Sequence, residues 1–116
     1  MTTIPADPFH QPGDLILVEL GPVRGPEQDG RRPALIVSEA LMNAATRRVI
    51  ICAITSHIEP WPTKVMLPIG LAVRVAVLTD QVRSIDHRAR ILRRLGVAPA
   101  AVLAEVRHQI AKLLGL

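Results

Sequence analysis

Three polar clusters interrupt a chain of 116 residues that is 49% apolar, and each holds side chains able to handle a negatively charged group. The first is Glu27-Gln28-Asp29-Gly30-Arg31-Arg32-Pro33, the second Thr55-Ser56, the third Asp80-Gln81-Val82-Arg83-Ser84-Ile85-Asp86. An arginine such as Arg32 keeps its charge at any physiological pH and can fork onto two oxygens of a phosphate. The Thr55 hydroxyl can donate to a third oxygen. Glu27 can accept a proton or orient Arg32, and Gln28 and Gln81 each offer a donor and an acceptor together.

Each of these residues also has a purely structural reading. Arg32 could pair with Asp29 or Glu27 on the surface, Thr55 could simply end a strand, and Glu27 could buttress its loop. Gln81 and Arg83 could lock a strand pair or a subunit contact. Trp61, held between Pro60 and Pro62, could pack its loop down or stack on a nucleic-acid base. His10, His57, His87 and His108 fall at no metal-ligand spacing, and only His57 lies near a cluster, two residues past Thr55. Cys52 sits among apolar neighbours and reads as a small buried hydrophobe.

The elements that must position these groups are mostly short strands. Residues 15–20, 34–37, 49–54, 65–67, 73–78 and 81–85 are apolar or β-branched runs bounded by Gly, Pro or polar residues. Gly21 to Pro33 forms a long polar loop, and Pro68-Ile69-Gly70 a turn. Ser38 is placed to cap a short helix running through Ala45. Pro99 fits the first turn of a C-terminal helix, whose stripe Val102, Val106, Ile110 and Leu113 faces the core. Residues 86–95 suit either a helix face or an edge strand.

Composition narrows the class. Ten prolines, one cysteine and two aromatics exclude a disulfide scaffold, and the apolar content excludes a wholly disordered chain. No apolar run reaches the ~18 residues that span a membrane. The first twelve residues, rich in proline, read as a flexible arm rather than a signal peptide, ahead of one domain over 13–116. The expectation is a soluble, cytoplasmic protein. Charge is uneven: residues 1–58 hold five Lys/Arg against six Asp/Glu, residues 59–116 nine against four. Five arginines fall between Arg83 and Arg94, enough to attract a polyanion or merely to solvate a surface.

The ordered set Gly13-Asp14, Gly25-x-Glu27-Gln28-x-Gly30-x-Arg32-Pro33, Ile54-Thr55-Ser56 and Asp80-Gln81-Val82-Arg83-Ser84-Ile85-Asp86 resembles the MazF/PemK family of toxin endoribonucleases. It departs from that family at Pro26, where a small polar residue is usual, and in a first strand without aromatics. The resemblance implies a mainly β fold with appended helices, a small closed antiparallel barrel with a C-terminal helix, extended over residues 86–90. It implies a metal-independent, sequence-selective endoribonuclease without cofactor, acting on single-stranded RNA. It makes Arg32 and Thr55 catalytic. Glu27, the one carboxylate at a matching position, is the candidate for proton transfer or for orienting Arg32, and Gln28, Ser56, Gln81 and Arg83 are the substrate-binding candidates. A homodimer and a cognate antitoxin are the implied partners. Two other readings stay open: a non-enzymatic CcdB-type gyrase poison on the same fold, and a degenerate member kept as a binding module.

Overall fold

The computed structural model describes residues 10–21 and 30–116. The expectations placed on Glu27, Gln28 and the loop around Pro26, and on residues 1–9 of the N-terminal arm, fall outside them. Residues 10–12 are tied to the fold: Asn43 Nδ2 donates to the His10 carbonyl at 3.0 Å, and the Gln11 amide donates to Asp14 Oδ2 at 2.9 Å.

Six strands pair antiparallel in one sheet of order β4-β5-β3-β2-β1-β6. They are β1 (Asp14–Glu19), β2 (Arg31–Ile36), β3 (Arg48–Thr55), β4 (Lys64–Met66), β5 (Ala76–Asp86) and β6 (Ile91–Val97). Three helices complete the fold, α1 (Ala40–Thr46), α2 (His87–Arg90) and α3 (Ala100–Leu113). Side chains alternate between two apolar clusters, because successive residues of a strand point to opposite faces. Leu15, Leu35, Cys52, Ile54 and Val77 join one, under α3; Ile16, Val18, Ala34, Ile36, Val49, Ile51 and Ile85 form the other.

The connection through α2 dictates the shape of the sheet. β5 and β6 are four inter-strand steps apart, about 19 Å if the sheet were flat. The four residues of α2 rise only about 6 Å. The sheet therefore rolls, bringing the end of β5 round to the start of β6. It does not close: no ladder joins β4 to β6 among the described residues, which corrects the expected closed barrel. β4 has only three residues, and α3 packs over β4 and β5, sealing that side of the core with Val102 and Val106.

Other differences have local causes. The runs 73–78 and 81–85 merge into one strand, β5, which starts only at Ala76 after the positive-φ Val75; the polar Thr79-Asp80-Gln81 stretch keeps extended geometry, with the Thr79 hydroxyl donating to the Thr63 carbonyl at 2.6 Å. Residues 87–90 turn helically instead of staying extended, because the Asp86 carboxylate accepts from the Arg88 and Ala89 amides at 2.9 and 2.8 Å and caps the turn. Residues 91–95 belong to β6. Ser38 caps no helix. Its hydroxyl instead donates to buried Asn43 and accepts from the Ile50 amide at 2.9 Å. On α3, Val102 and Val106 are buried and Ile110 packs beside them, but Leu113 is 48% exposed, where the helix runs off the core. The Arg107 guanidinium anchors α3 by donating to the Val37 carbonyl at 3.0 and 2.7 Å.

The Asp86 cap gives a pH signature. Amide donation by Ala89, then by Arg88, and the nearby Arg48 guanidinium hold its carboxyl below the usual aspartate range. A depressed folded pKa contributes stability that is complete above the unfolded value of about 3.9 and is lost as pH falls through the folded one. Asp86→Ala should unfold at lower urea than wild type at pH 6, and the gap should narrow steadily below pH 4. A gap that stays constant down to pH 2 would contradict the cap.

Candidate active site

Arg32 and Thr55 are brought together by the way the β2–β3 ladder ends. The ladder pairs Ile36 with Ile51, Leu35 with Cys52 and Ala34 with Ala53, then stops at Pro33, which has no N–H to donate. Two further steps of the same register set Arg32 across from Thr55. β1 still holds this end of β2, pairing Leu17 with Pro33 and Val18 with Arg32. On its other side β1 pairs Leu17 with Arg93 of β6. Arg93, Leu17 and Pro33 thus form one row across three strands.

Around this row lies a cavity of about 610 Å³, lined by Arg31, Arg32, Arg74 and Arg93 together with Thr55, Ser56 and His57. Four arginines line it and no Asp or Glu does among the described residues. Such a site attracts a polyanion and fits phosphate oxygens. Glu19 sits behind Arg31, its carboxylate 3.5 Å from Nε, and steadies that side chain at the rim. Thr55 is 7% exposed, and its Oγ1 accepts from the His57 amide at 3.1 Å. That contact fixes the oxygen and leaves the O–H to donate.

The remaining residues singled out in the sequence divide. Ser56 lines the same cavity. Gln81 lines a neighbouring cavity that shares Thr55 and His57 with the first. Arg83 is exposed on β5, opposite Ile51, and lines neither. Within the basic stretch, only Arg93 reaches the guanidinium cavity. Arg88 and Arg90 lie on α2, and Arg94 Nε pairs with Asp14 Oδ1 at 3.3 Å. Arg74 and Arg93 carry no motif of their own in the sequence. Their spacing from Arg32 becomes meaningful only once the sheet is rolled. Cys52 is buried on β3 in the cluster under α3, and burial, followed by the charge of Asp80, pushes its thiol up to about 12, so it is inert as a nucleophile.

A rolled antiparallel sheet with a helix across one side and an arginine-lined, hydroxyl-bearing cleft defines a small β protein built to hold phosphates. The comparisons with known proteins give that class a family. A model of the PemK-like, MazF-like toxins of type II toxin–antitoxin systems matches residues 11–114. The endoribonuclease toxin MazF of Escherichia coli K12 is 34% identical over 103 residues, covering 89% of this chain and 92% of the relative. The endoribonuclease PemK of Escherichia coli is 36% identical over 106 residues, covering 88% and 80%. Among solved structures, a chain of the MazE–MazF crystal structure from Deinococcus radiodurans superposes with a TM-score of 0.82 at 41% identity, covering 93% of this chain and 97% of its own. The chain belongs to the PemK-like, MazF-like toxin family.

Proposed function

We propose that this protein is an endoribonuclease toxin that cuts single-stranded RNA. The observation that carries the reading is that Arg32, Arg74 and Arg93 line one cleft together with Thr55. The ribose 2′-OH attacks the adjacent phosphorus, a P–O2′ bond forms and the P–O5′ bond breaks. The products are a 2′,3′-cyclic phosphate and a 5′-hydroxyl. We assign Arg32 to the charge that builds on the non-bridging oxygens and the Thr55 O–H to one of those oxygens. Glu27 is our choice to take the 2′-OH proton, with Gln28, Ser56, Gln81 and Arg83 as substrate contacts. We also assign His57, which lines the cleft two residues from Thr55, to the proton returned to O5′.

The test is incubation of purified protein with a mixed-sequence RNA in excess EDTA. Cleavage to cyclic-phosphate and 5′-hydroxyl ends is expected at an undiminished rate. A strict need for a divalent ion, or 5′-phosphate products, would overturn the mechanism. Family membership and the cationic cleft favour this reading over a gyrase-binding toxin, which needs no such cleft.

The reading extends to partners. An antitoxin occupying the cleft should be acidic, as its charge must match four guanidinium groups. Titrating an acidic antitoxin segment against bound RNA should displace the RNA in direct competition. The chain is assigned to the cytoplasm, and no described helix is long and apolar enough to cross a membrane. We also assign a homodimer. Exposed Ile58, Met66 and Ile69 beside β4, and Leu114 and Leu116 after α3, supply apolar surface that a second copy can cover. Sedimentation at micromolar concentration should give twice the chain mass, and a monomer throughout would refute the assignment.

A further inference from the structure

The second cavity, about 350 Å³, meets the guanidinium cleft at Thr55 and His57 but differs from it in chemistry. Its walls carry Trp61, Asp80, Gln81 and Glu59, with Lys64 as the only Lys or Arg among the described residues. Two carboxylates make it a poor phosphate site. An exposed indole beside a carboxylate and an amide is instead suited to a flat heterocycle with polar edges.

The indole is held in place although it is 58% exposed. Its Nε1–H donates to Asp80 Oδ2 at 3.2 Å, joining the loop after β3 to the middle of β5. The Trp61 carbonyl accepts from the Lys64 amide at 3.0 Å, and Lys64 Nζ donates to the His57 carbonyl at 3.1 Å and to the Glu59 carbonyl. Prolines on both sides of Trp61 reduce the freedom of the chain. The ring is therefore a preorganised platform, with little ordering left to do when a ligand arrives.

We infer that this cavity is a nucleobase subsite that helps set where the RNA is cut: Trp61 stacks on the base next to the reacting phosphate, and Asp80 and Gln81 read its polar edge. This inference rests on the ribonuclease reading and deepens it. The order of groups matches a nucleotide, with the phosphate among the arginines and Thr55, the ribose where the cavities join, and the base against the indole. Asp80 retains Oδ1 to accept a base N–H, and Gln81 can donate to a ring nitrogen beside it. A carboxylate accepts from the exocyclic amino group of adenine, cytosine or guanine. It repels the carbonyls that flank N3–H in uracil. The subsite therefore selects an amino-bearing base against uracil.

Trp61 is the only tryptophan in the chain, so it reports on its own cavity. The probes are 5′-labelled RNA oligonucleotides with a 2′-deoxy residue at the cut position. One series carries adenine, cytosine or guanine at the neighbouring base and one carries uracil, and binding is followed separately by anisotropy. Saturating the protein with the amino-bearing series should quench Trp61 emission, and the uracil series should bind more weakly and quench less. Trp61→Leu should lower kcat/KM on the preferred sequence roughly 5- to 100-fold, and Trp61→Phe, which keeps a stacking face, should restore most of it. Asp80→Asn should narrow the difference between the amino-bearing and uracil series. Unchanged emission at saturating RNA, or Trp61→Leu cutting the same sites at the wild-type rate, would overturn the subsite. Binding is read without cleavage, so a protein that cuts no RNA defeats the ribonuclease reading and leaves this measurement able to decide the subsite.

Discussion

Arg32→Ala is expected to reduce RNA cleavage by about 10²–10³-fold while leaving the fold intact, the scale seen when one preorganised donor to a transition-state oxyanion is removed. The guanidinium is half-buried at the end of β2, and its backbone pairing with Val18 does not depend on the side chain. Its positive charge has most to do when negative charge builds on the non-bridging oxygens, so the loss should fall on kcat more than on KM. Arg32→Lys separates charge from geometry: it keeps a cation but cannot fork onto two oxygens, and an intermediate rate is expected. Single-turnover rates on one oligonucleotide, with thermal unfolding as the control for folding, decide the matter. A folded Arg32→Ala protein cutting near the wild-type rate would remove Arg32 from the reaction.

The second large effect is on RNA affinity. Replacing Arg74 and Arg93 together by serine takes two of the four cations out of the cleft and leaves Arg32 and Thr55 in place. Each phosphate a protein neutralises on a single strand contributes about 0.7 to the slope of log K against log salt. The double variant should therefore bind a non-cleavable RNA more weakly at low salt, with a slope shallower by about 1.4. Base preference should not change, since phosphate contacts position the strand without reading it. The matching control is Arg88→Ser with Arg90→Ser, on α2 outside the cleft, which should barely move the slope. Equal losses from both pairs would show a diffuse basic surface in place of a cleft.

These two experiments also mark how far the sequence could be read. Arg32 and Thr55 stood out as candidates because each stands at a strand end inside a motif, and both line the cleft. Most strands were legible from their β-branched runs, and α3 from its periodicity with Pro99 ahead of it. Arg74 and Arg93 were not, because their role comes from rolling the sheet, a tertiary fact with no local signal. The density of arginine between residues 83 and 94 could not single out one side chain: Arg88 and Arg90 lie on α2 outside the cleft, and only β6 pairing with β1 sets Arg93 beside Leu17. The α2 turn did leave a trace in Asp86, an aspartate with two amides within reach. The family pattern implies extended geometry there, but the local cap prevails. β5 was divided in two for a similar reason, as Asp80 and Gln81 look like a loop until the cavities on either side of Thr55 explain polar residues in mid-strand.

The rolled sheet also has a consequence for the order in which the toxin becomes dangerous. β1 is made among the first elements, yet its outer neighbour is β6, with Asp14 paired to Val97. Chains emerge from synthesis N-terminus first, and contacts between distant segments form only after the entropy of closing the intervening loop has been met. A growing chain that ends before β6 already holds Arg32 and Thr55, but its cleft lacks Arg93 and the wall that β6 provides. The complete guanidinium array thus comes together late, when the last strand docks. On the ribonuclease reading proposed above, a chain stalled before β6 should therefore cut RNA more slowly than the finished one.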